Sequence, residues 1–371
     1  MIARNLQQKI DLKLNKGKVI VLVGPRQVGK TTVINALLKN ISYLFLDGDD
    51  SSVCDILANA NTEQLKNIIG DYKYVFIDEV QRIPTIGLKL KIIVDQIKNV
   101  QVIVSGSSAL DIGNLTQEPL TGRKFEFQMF PVSWNEFETN VGYIKAQQQL
   151  ELRMIYGMYP DVINNLGNEY EILKNLVSSY LYKDILALTG IRKSEVLEKI
   201  LQALALQIGS EVSYNEIAQL VGVDKNTVNN YINLLEKSYV VFKLNSFSRN
   251  ARNEIKANRK IYFYDNGVRN MLIGNFNNLM LRQDKGALWE NFLVTERMKL
   301  LSYENSNKQP YFWRTTQQQE IDYIEVDADE VNAFEMKWKS KKAKLPKNFS
   351  DYYTGSFDII TSDNFRDFLK F

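Results

Sequence analysis

The chain has 371 residues, too many for one ordinary hydrophobic core, and its 45% hydrophobic and 24% charged residues are the proportions of a soluble globular protein of two or three domains. A net charge of +3 neither requires nor excludes nucleic acid, so that question rests on local features. With no histidine and the single cysteine Cys54, the sequence excludes Ser-His-Asp triads, Cys-His pairs, internal disulfides and imidazole- or thiolate-based zinc sites; carboxylates, hydroxyls and carbonyls remain, the donors that suit Mg²⁺.

The first residues, MIARNLQQKIDLKLNKGK, carry charges throughout and lack the apolar stretch of a signal peptide. No apolar run is long enough to span a bilayer. These features lead to the expectation of a cytoplasmic protein with no membrane partner. From residue 18 to about 128, apolar runs at Val19–Val23, Tyr43–Leu46, Tyr74–Ile77, Val102–Val104 and Phe125–Phe130 alternate with helical patterns. Continuous apolar runs of this kind read as buried parallel strands, and the region as an α/β domain with helices on both faces.

The first run leads into Gly24, Pro25, Arg26, Gln27, Val28, Gly29, Lys30 and Thr31, followed by Thr32 and a helical pattern. This fits G-x-x-x-x-G-K-[ST] in its required context of strand, turn and helix. Backbone N–H groups of such a turn wrap phosphates, and the helix N-terminus adds partial positive charge. Lys30 would reach the β- and γ-phosphates of ATP, and the Thr31 hydroxyl would ligate Mg²⁺. The run YKYVFIDEVQR ends in Asp78 and Glu79. Asp78 would hold Mg²⁺, through water, and Glu79 would orient and polarise the attacking water.

The run VQVIVSGSSAL ends in hydroxyls and resembles the sensor strand of AAA-type ATPases, with Ser105 or Ser107 in the sensor position. The alternative is an ordinary Ser/Gly turn. Arg123, in PLTGRKF, is a candidate arginine finger or a structural ion pair.

From 131 to 205 the pattern is helical. The segment VSYNEIAQLVGVDKNTVNNYINLLEKSYVVFKL then reads as helix-turn-helix plus strand, with Ser213 and Asp224 as helix caps and Gly222 in the turn. Val228, Tyr231, Ile232 and Leu235 form the apolar stripe, which leaves Lys225, Asn226, Asn229, Asn230 and Asn233 outward. Asn suits adenine edges in a major groove. Arg249, Arg252, Lys256, Arg259 and Lys260, in a stretch that reads as a linker or the tip of a wing, could contact phosphates. A protein-contact module is the alternative.

In the tail, Glu290 lies on a helical pattern, Asp322 begins an apolar strand, and Glu335 and Lys337 form E-x-K on the next. Residues two apart on a strand share a face, so Glu335 and Lys337 would point together toward Asp322. Converging carboxylates repel unless a cation neutralises them, which favours Mg²⁺ or Mn²⁺ held by Glu290, Asp322 and Glu335; the alternative is a half-buried strand pair with surface charges. The basic stretch 337–347 follows, either along a phosphate backbone or as solvated surface.

Taken in order, GPRQVGKTT, VFIDEVQRIP, VIVSGSSA, LTGR with FPVSWNEF, and YGMYPDV resemble a bacterial and archaeal AAA-type P-loop ATPase family. Its members carry a winged helix and a C-terminal domain similar to PD-(D/E)xK nucleases. The resemblance implies a P-loop ATPase core (1–130), a helical lid (131–205), a winged helix-turn-helix (206–272) and an α/β restriction-endonuclease-like domain (280–371). In that pattern the carboxylates hold metal and Lys337 acts on the reacting group. The proline is absent here, since Ile321 precedes Asp322. The expectation is a homo-oligomeric ATPase, with a hexameric ring as one candidate, that binds, remodels or translocates DNA. A nucleotide-controlled regulatory or defence switch, with a protein-contacting winged helix and an inactive nuclease-like domain, is the rival.

Overall fold

The computed structural model describes residues 2–107, 119–178, 194–248, 259–315, 317–339 and 342–370. They divide into two compact units, Met1–Pro131 with Lys237–Tyr239, and Val132–Glu236 with Val240–Phe371. The helical, helix-turn-helix and tail segments, expected as three modules, all fall in the second unit.

In the first unit, helix α1 (Asn5–Asp11) precedes β1 (Val19–Val23), α2 (Lys30–Leu37), β2 (Leu44–Asp47), α3 (Ser51–Asn59), α4 (Thr62–Ile69), β3 (Tyr74–Asp78), α5 (Ile86–Gln96), β4 (Gln101–Gly106) and β5 (Lys124–Gln128). The strands pair in parallel in the order β2-β3-β4-β1-β5. Each apolar run became a strand, and β1 and β4 are buried along their whole length. That is why they read as uninterrupted hydrophobic segments with no period of two. The C-terminal ends of β1, β3 and β4 lie side by side, so the turns that follow them share one edge of the sheet.

In the second unit, helix Trp134–Val141 opens with a capping box between Ser133 and Glu136. Helices Tyr214–Val221 and Lys225–Lys237 follow later, and then an antiparallel pair, β6 (Val241–Asn245) with β7 (Arg259–Phe263). The long helix Lys285–Tyr303 crosses to a four-stranded sheet in the order β11-β10-β9-β8. Its strands are β8 (Gln309–Arg314), β9 (Glu320–Asp327), β10 (Glu330–Met336) and β11 (Phe357–Ile360). An aromatic cluster of Trp134, Trp289, Phe292 and Phe365 ties the first helix, the long helix and the C-terminal turn together, with ring centroids 5.2–6.3 Å apart. Such pairs add to the area they bury, and a second cluster of Trp313, Ile321, Ile324, Val331, Ala333 and Phe349 packs on the four-stranded sheet. Bridges Glu211↔Lys260 and Ser246↔Phe312 join the hairpin to neighbouring backbone of the same unit.

No helix among the described residues is long and apolar enough to cross a membrane.

Candidate functional site

The turn after β1 is shaped by steric demands. A Cβ at Gly24 would lie 2.1 Å from the Met129 carbonyl oxygen, so only glycine lets the turn pass. Gly29 caps α2, whose first residue is Lys30. Arg4, which the sequence reading did not single out, is buried and donates to the Val28 carbonyl at 2.7 Å and the Phe130 carbonyl at 2.6 Å. It fastens the turn to the segment after β5. No local pattern marks that role, because both partners lie far away in sequence.

Lys30 is buried, and its Nζ donates to the carbonyls of Gly24 and Pro25, each at 2.9 Å. Burial lowers its ammonium to about 8, although the charges of Glu79 and Asp78 act in the opposite direction. The Thr31 hydroxyl donates to Asp78 Oδ2 at 2.7 Å. Ser105, fully buried, donates a short hydrogen bond to Asp78 Oδ1, which also accepts from the Glu79 N–H at 3.0 Å. Asp78 is therefore held by β4 and by its own turn, and it faces the start of α2. Of the two sensor candidates, Ser105 touches Asp78, and Ser107 accepts from Gln81 at 3.2 Å. An oxygen-only pair of hydroxyl and carboxylate at the phosphate turn fits Mg²⁺, which commonly takes one or two protein ligands plus phosphate oxygens.

Arg123 lies at the other end of the sheet. Its carbonyl accepts from Val19 N, at the start of β1, and its guanidinium pairs with Asp95 at 2.7 Å on the surface. The phosphate turn begins at Gly24, about 16 Å further along the strand at 3.3 Å per residue. Arg123 cannot reach the turn of its own chain.

In the second unit the helix-turn-helix caps form as expected. Ser213 accepts from Glu216 N, and Asp224 accepts from Thr227 N at 2.9 Å. Gly222 ends the first helix in the left-handed region, φ 79°. Val228, Tyr231, Ile232 and Leu235 are buried, and Lys225, Asn226 and Asn230 are exposed. Two residues expected outward differ. Asn229 is half-buried, and half-buried Asn233 accepts from Lys243 Nζ at 2.6 Å. Packing of β6 against the helix accounts for the latter. Of the basic wing residues, Arg249, Arg252 and Lys256 lie outside the described residues, and Arg259 is half-buried.

Lys260 is the main correction. Expected on phosphates, it is buried, and its Nζ lies 2.9 Å from Glu290 Oε1 and 2.6 Å from Glu320 Oε1. Tyr262, on the same face of β7, donates to Glu290 Oε1 at 2.6 Å. Asp322 accepts from Met336 N at 2.8 Å, and Lys337 lies 2.7 Å from Glu335 and 3.8 Å from Asp322. The expected residues thus do gather. Two ammonium groups are gathered with them.

Burial raises Glu290 to about 7, against the opposing charge of Lys260, and Asp322 raises it further. Burial alone would lower Lys260, but Glu290, Glu320 and Asp322 overcome it and hold the ammonium well above its ordinary value. Burial and Asp322 also raise Glu335. Among the described residues no group of three or more acidic or thiol side chains is arranged to hold a metal ion. Lys260 and Lys337 stand beside Glu290, Asp322 and Glu335 and offset part of the carboxylate charge. Of the basic stretch, Lys339, Lys342, Lys344 and Lys347 are exposed, and residues 340–341 lie outside the described set.

Comparison with known proteins agrees with the geometry of the first unit. A family model described as an AAA domain matches residues 16–138, and two models described as domains of unknown function, DUF8612 and DUF4143, match 147–279 and 285–361. An uncharacterized protein of Mycobacterium bovis is 27% identical over 330 residues, covering 87% of this chain and 71% of its own. An uncharacterized protein of Haemophilus influenzae is 24% identical, covering 89% and 85% respectively. Among solved structures, the Walker-type ATPase of Pyrococcus abyssi aligns with a TM-score of 0.52 at 15% identity, over 74% of this chain and 96% of that one. Residues 16–138 thus resemble an AAA-type P-loop domain in sequence, and their parallel sheet resembles the fold of that Walker-type ATPase.

Proposed function

We propose that the chain is a Mg²⁺-dependent ATPase that couples hydrolysis to DNA through its second unit. The carrying observation is the meeting of Thr31 with Asp78 beside buried Lys30. The backbone N–H groups from Gly24 to Thr32 would hold the phosphates. Lys30 would exchange the carbonyls of Gly24 and Pro25 for phosphate oxygens. Glu79 would accept a hydrogen bond from the attacking water and so orient it, and Ser105 would keep Asp78 aimed. Mg²⁺, when bound by Thr31 and Asp78, would neutralise charge on the phosphates.

With Arg123 beyond reach of the turn of its own chain, a finger role for it requires a homo-oligomer in which it would serve a neighbour's nucleotide. The exposed Lys225, Asn226 and Asn230 support the reading of the helix-turn-helix and β6–β7 hairpin as a winged helix on DNA. We read the tail as a nuclease-like domain that does not cleave, because Lys260, from outside the motif, pairs with Glu290 where a cation would be needed. Phosphate release measured with and without duplex DNA at moderate salt tests the coupling. Severalfold stimulation is expected; an ATPase indifferent to DNA would favour the switch whose winged helix contacts protein.

A further inference from the structure

Glu79 enters the short 3₁₀ turn Val80–Arg82 from left-handed backbone, φ 45°, unusual for a residue with a Cβ. Its side chain is held as well. Gln81 Nε2 donates to Glu79 Oε2 at 2.5 Å and to Ser107 Oγ at 3.2 Å. An ionised carboxylate only accepts hydrogen bonds, so the amide must turn its NH₂ to Glu79. Gln81 Oε1 is buried and has no hydrogen-bond partner among the described residues. A buried, unmade acceptor is costly, so the amide is arranged for its two donor contacts at the expense of its carbonyl.

Those contacts span the ends of two neighbouring strands. Glu79 follows β3, and Ser107 follows β4. Glu79 also follows Asp78 directly, and its N–H donates to Asp78 Oδ1 at 3.0 Å, on the carboxylate that Thr31 of the phosphate turn reaches. We propose that Gln81 is a positioning residue for hydrolysis: it holds the Glu79 carboxylate between Ser107 and the phosphate turn, aimed at the attacking water. The inference rests on the ATPase reading. A misplacement of about 1 Å at a reacting group can cost roughly a hundredfold in rate, so the contact is large enough to measure.

The test is steady-state hydrolysis of ATP with Mg²⁺ by the full chain and its variants, with unfolding midpoints as a control. Gln81→Ala should lower kcat about 10- to 100-fold while KM stays within about threefold. Gln81→Glu keeps the shape but loses the donor and sets two carboxylates together, so it should be at least as slow. In a Glu79→Gln background, Gln81→Ala should slow hydrolysis no further, because the two residues act as a unit. A Gln81→Ala variant at or above the parent kcat, or additive losses in the double variant, would overturn the inference alone. A parent that does not turn over ATP, or a Glu79→Gln variant at the parent rate, would overturn the ATPase reading together with it.

Discussion

The Thr31 hydroxyl lies 2.7 Å from Oδ2 of Asp78, which joins the first turn of α2 to the end of β3. Two sequence motifs separated by one strand and two helices thereby become one oxygen-lined site. Thr31→Ala should cut the Mg²⁺-dependent part of nucleotide affinity by roughly tenfold to a hundredfold, about 1.5–3 kcal/mol for a bond to a charged group. Affinity without Mg²⁺ should stay near the parent value. Titration of a fluorescent ATP analogue with and without the ion checks this, and equal losses in both conditions would argue against Thr31 as a ligand.

Arg123 should act between chains. Arg123→Ala is expected to slow hydrolysis with little change in ATP affinity, since a finger acts mainly on transition-state charge. Mixing Arg123→Ala with Lys30→Ala protein should restore part of the activity. A verified mixed oligomer that stays inactive would leave the Asp95 pair as the role of Arg123.

The Lys260 cluster should govern stability and its pH dependence. Glu290 sits at about 7 when folded against an ordinary 4.5, so the folded chain binds the extra proton between these values. Its contribution is full below pH 4.5 and is lost as pH rises through 7. Glu290→Gln should flatten that fall, by about 3 kcal/mol at most. Lys260→Met leaves Glu290 and Glu320 without their ammonium and should destabilise by about 3–5 kcal/mol. Urea unfolding at pH 5 and pH 8 reads both effects. An unchanged pH slope in Glu290→Gln would contradict the assignment.

On the helix Lys225–Lys237, Asn226→Asp and Asn230→Asp should each weaken DNA binding by about 1–3 kcal/mol with little change in midpoint. Asn233→Asp should act less on DNA, because Asn233 already holds Lys243. Fluorescence anisotropy on a labelled duplex measures this. Unchanged affinity in both exposed-face variants would direct the module toward a protein partner.

The candidate nucleotide site was legible in the sequence because its parts are local. The glycines of the phosphate turn, Lys30 and Thr31 are contiguous, and Asp78 and Glu79 end an apolar run. Strands β1, β3 and β4 were legible because burial on both faces leaves unbroken apolar segments, whereas β2 and β5 are the part-buried edges of the sheet. Arg4 and Gln81 were not, since each is defined by partners that only folding brings near. Lys260 was misread because a basic residue beside a basic loop looks solvated. The alternation of β7 did carry a signal, for Lys260 and Tyr262 share a face, and Glu320 shares one with Asp322. The carboxylates of the tail lie near one another, and the ammonium of Lys260 reaches them from a strand outside the motif.

The central claim, hydrolysis at the Lys30–Thr31–Asp78–Glu79 site, is tested most directly by ATP bound and phosphate released from Glu79→Gln protein in one single-turnover experiment. The account expects bound ATP at the parent level and release slowed at least about a hundredfold, as for loss of a residue that acts on the attacking water. Release at the parent rate, with ATP bound as before, would contradict it.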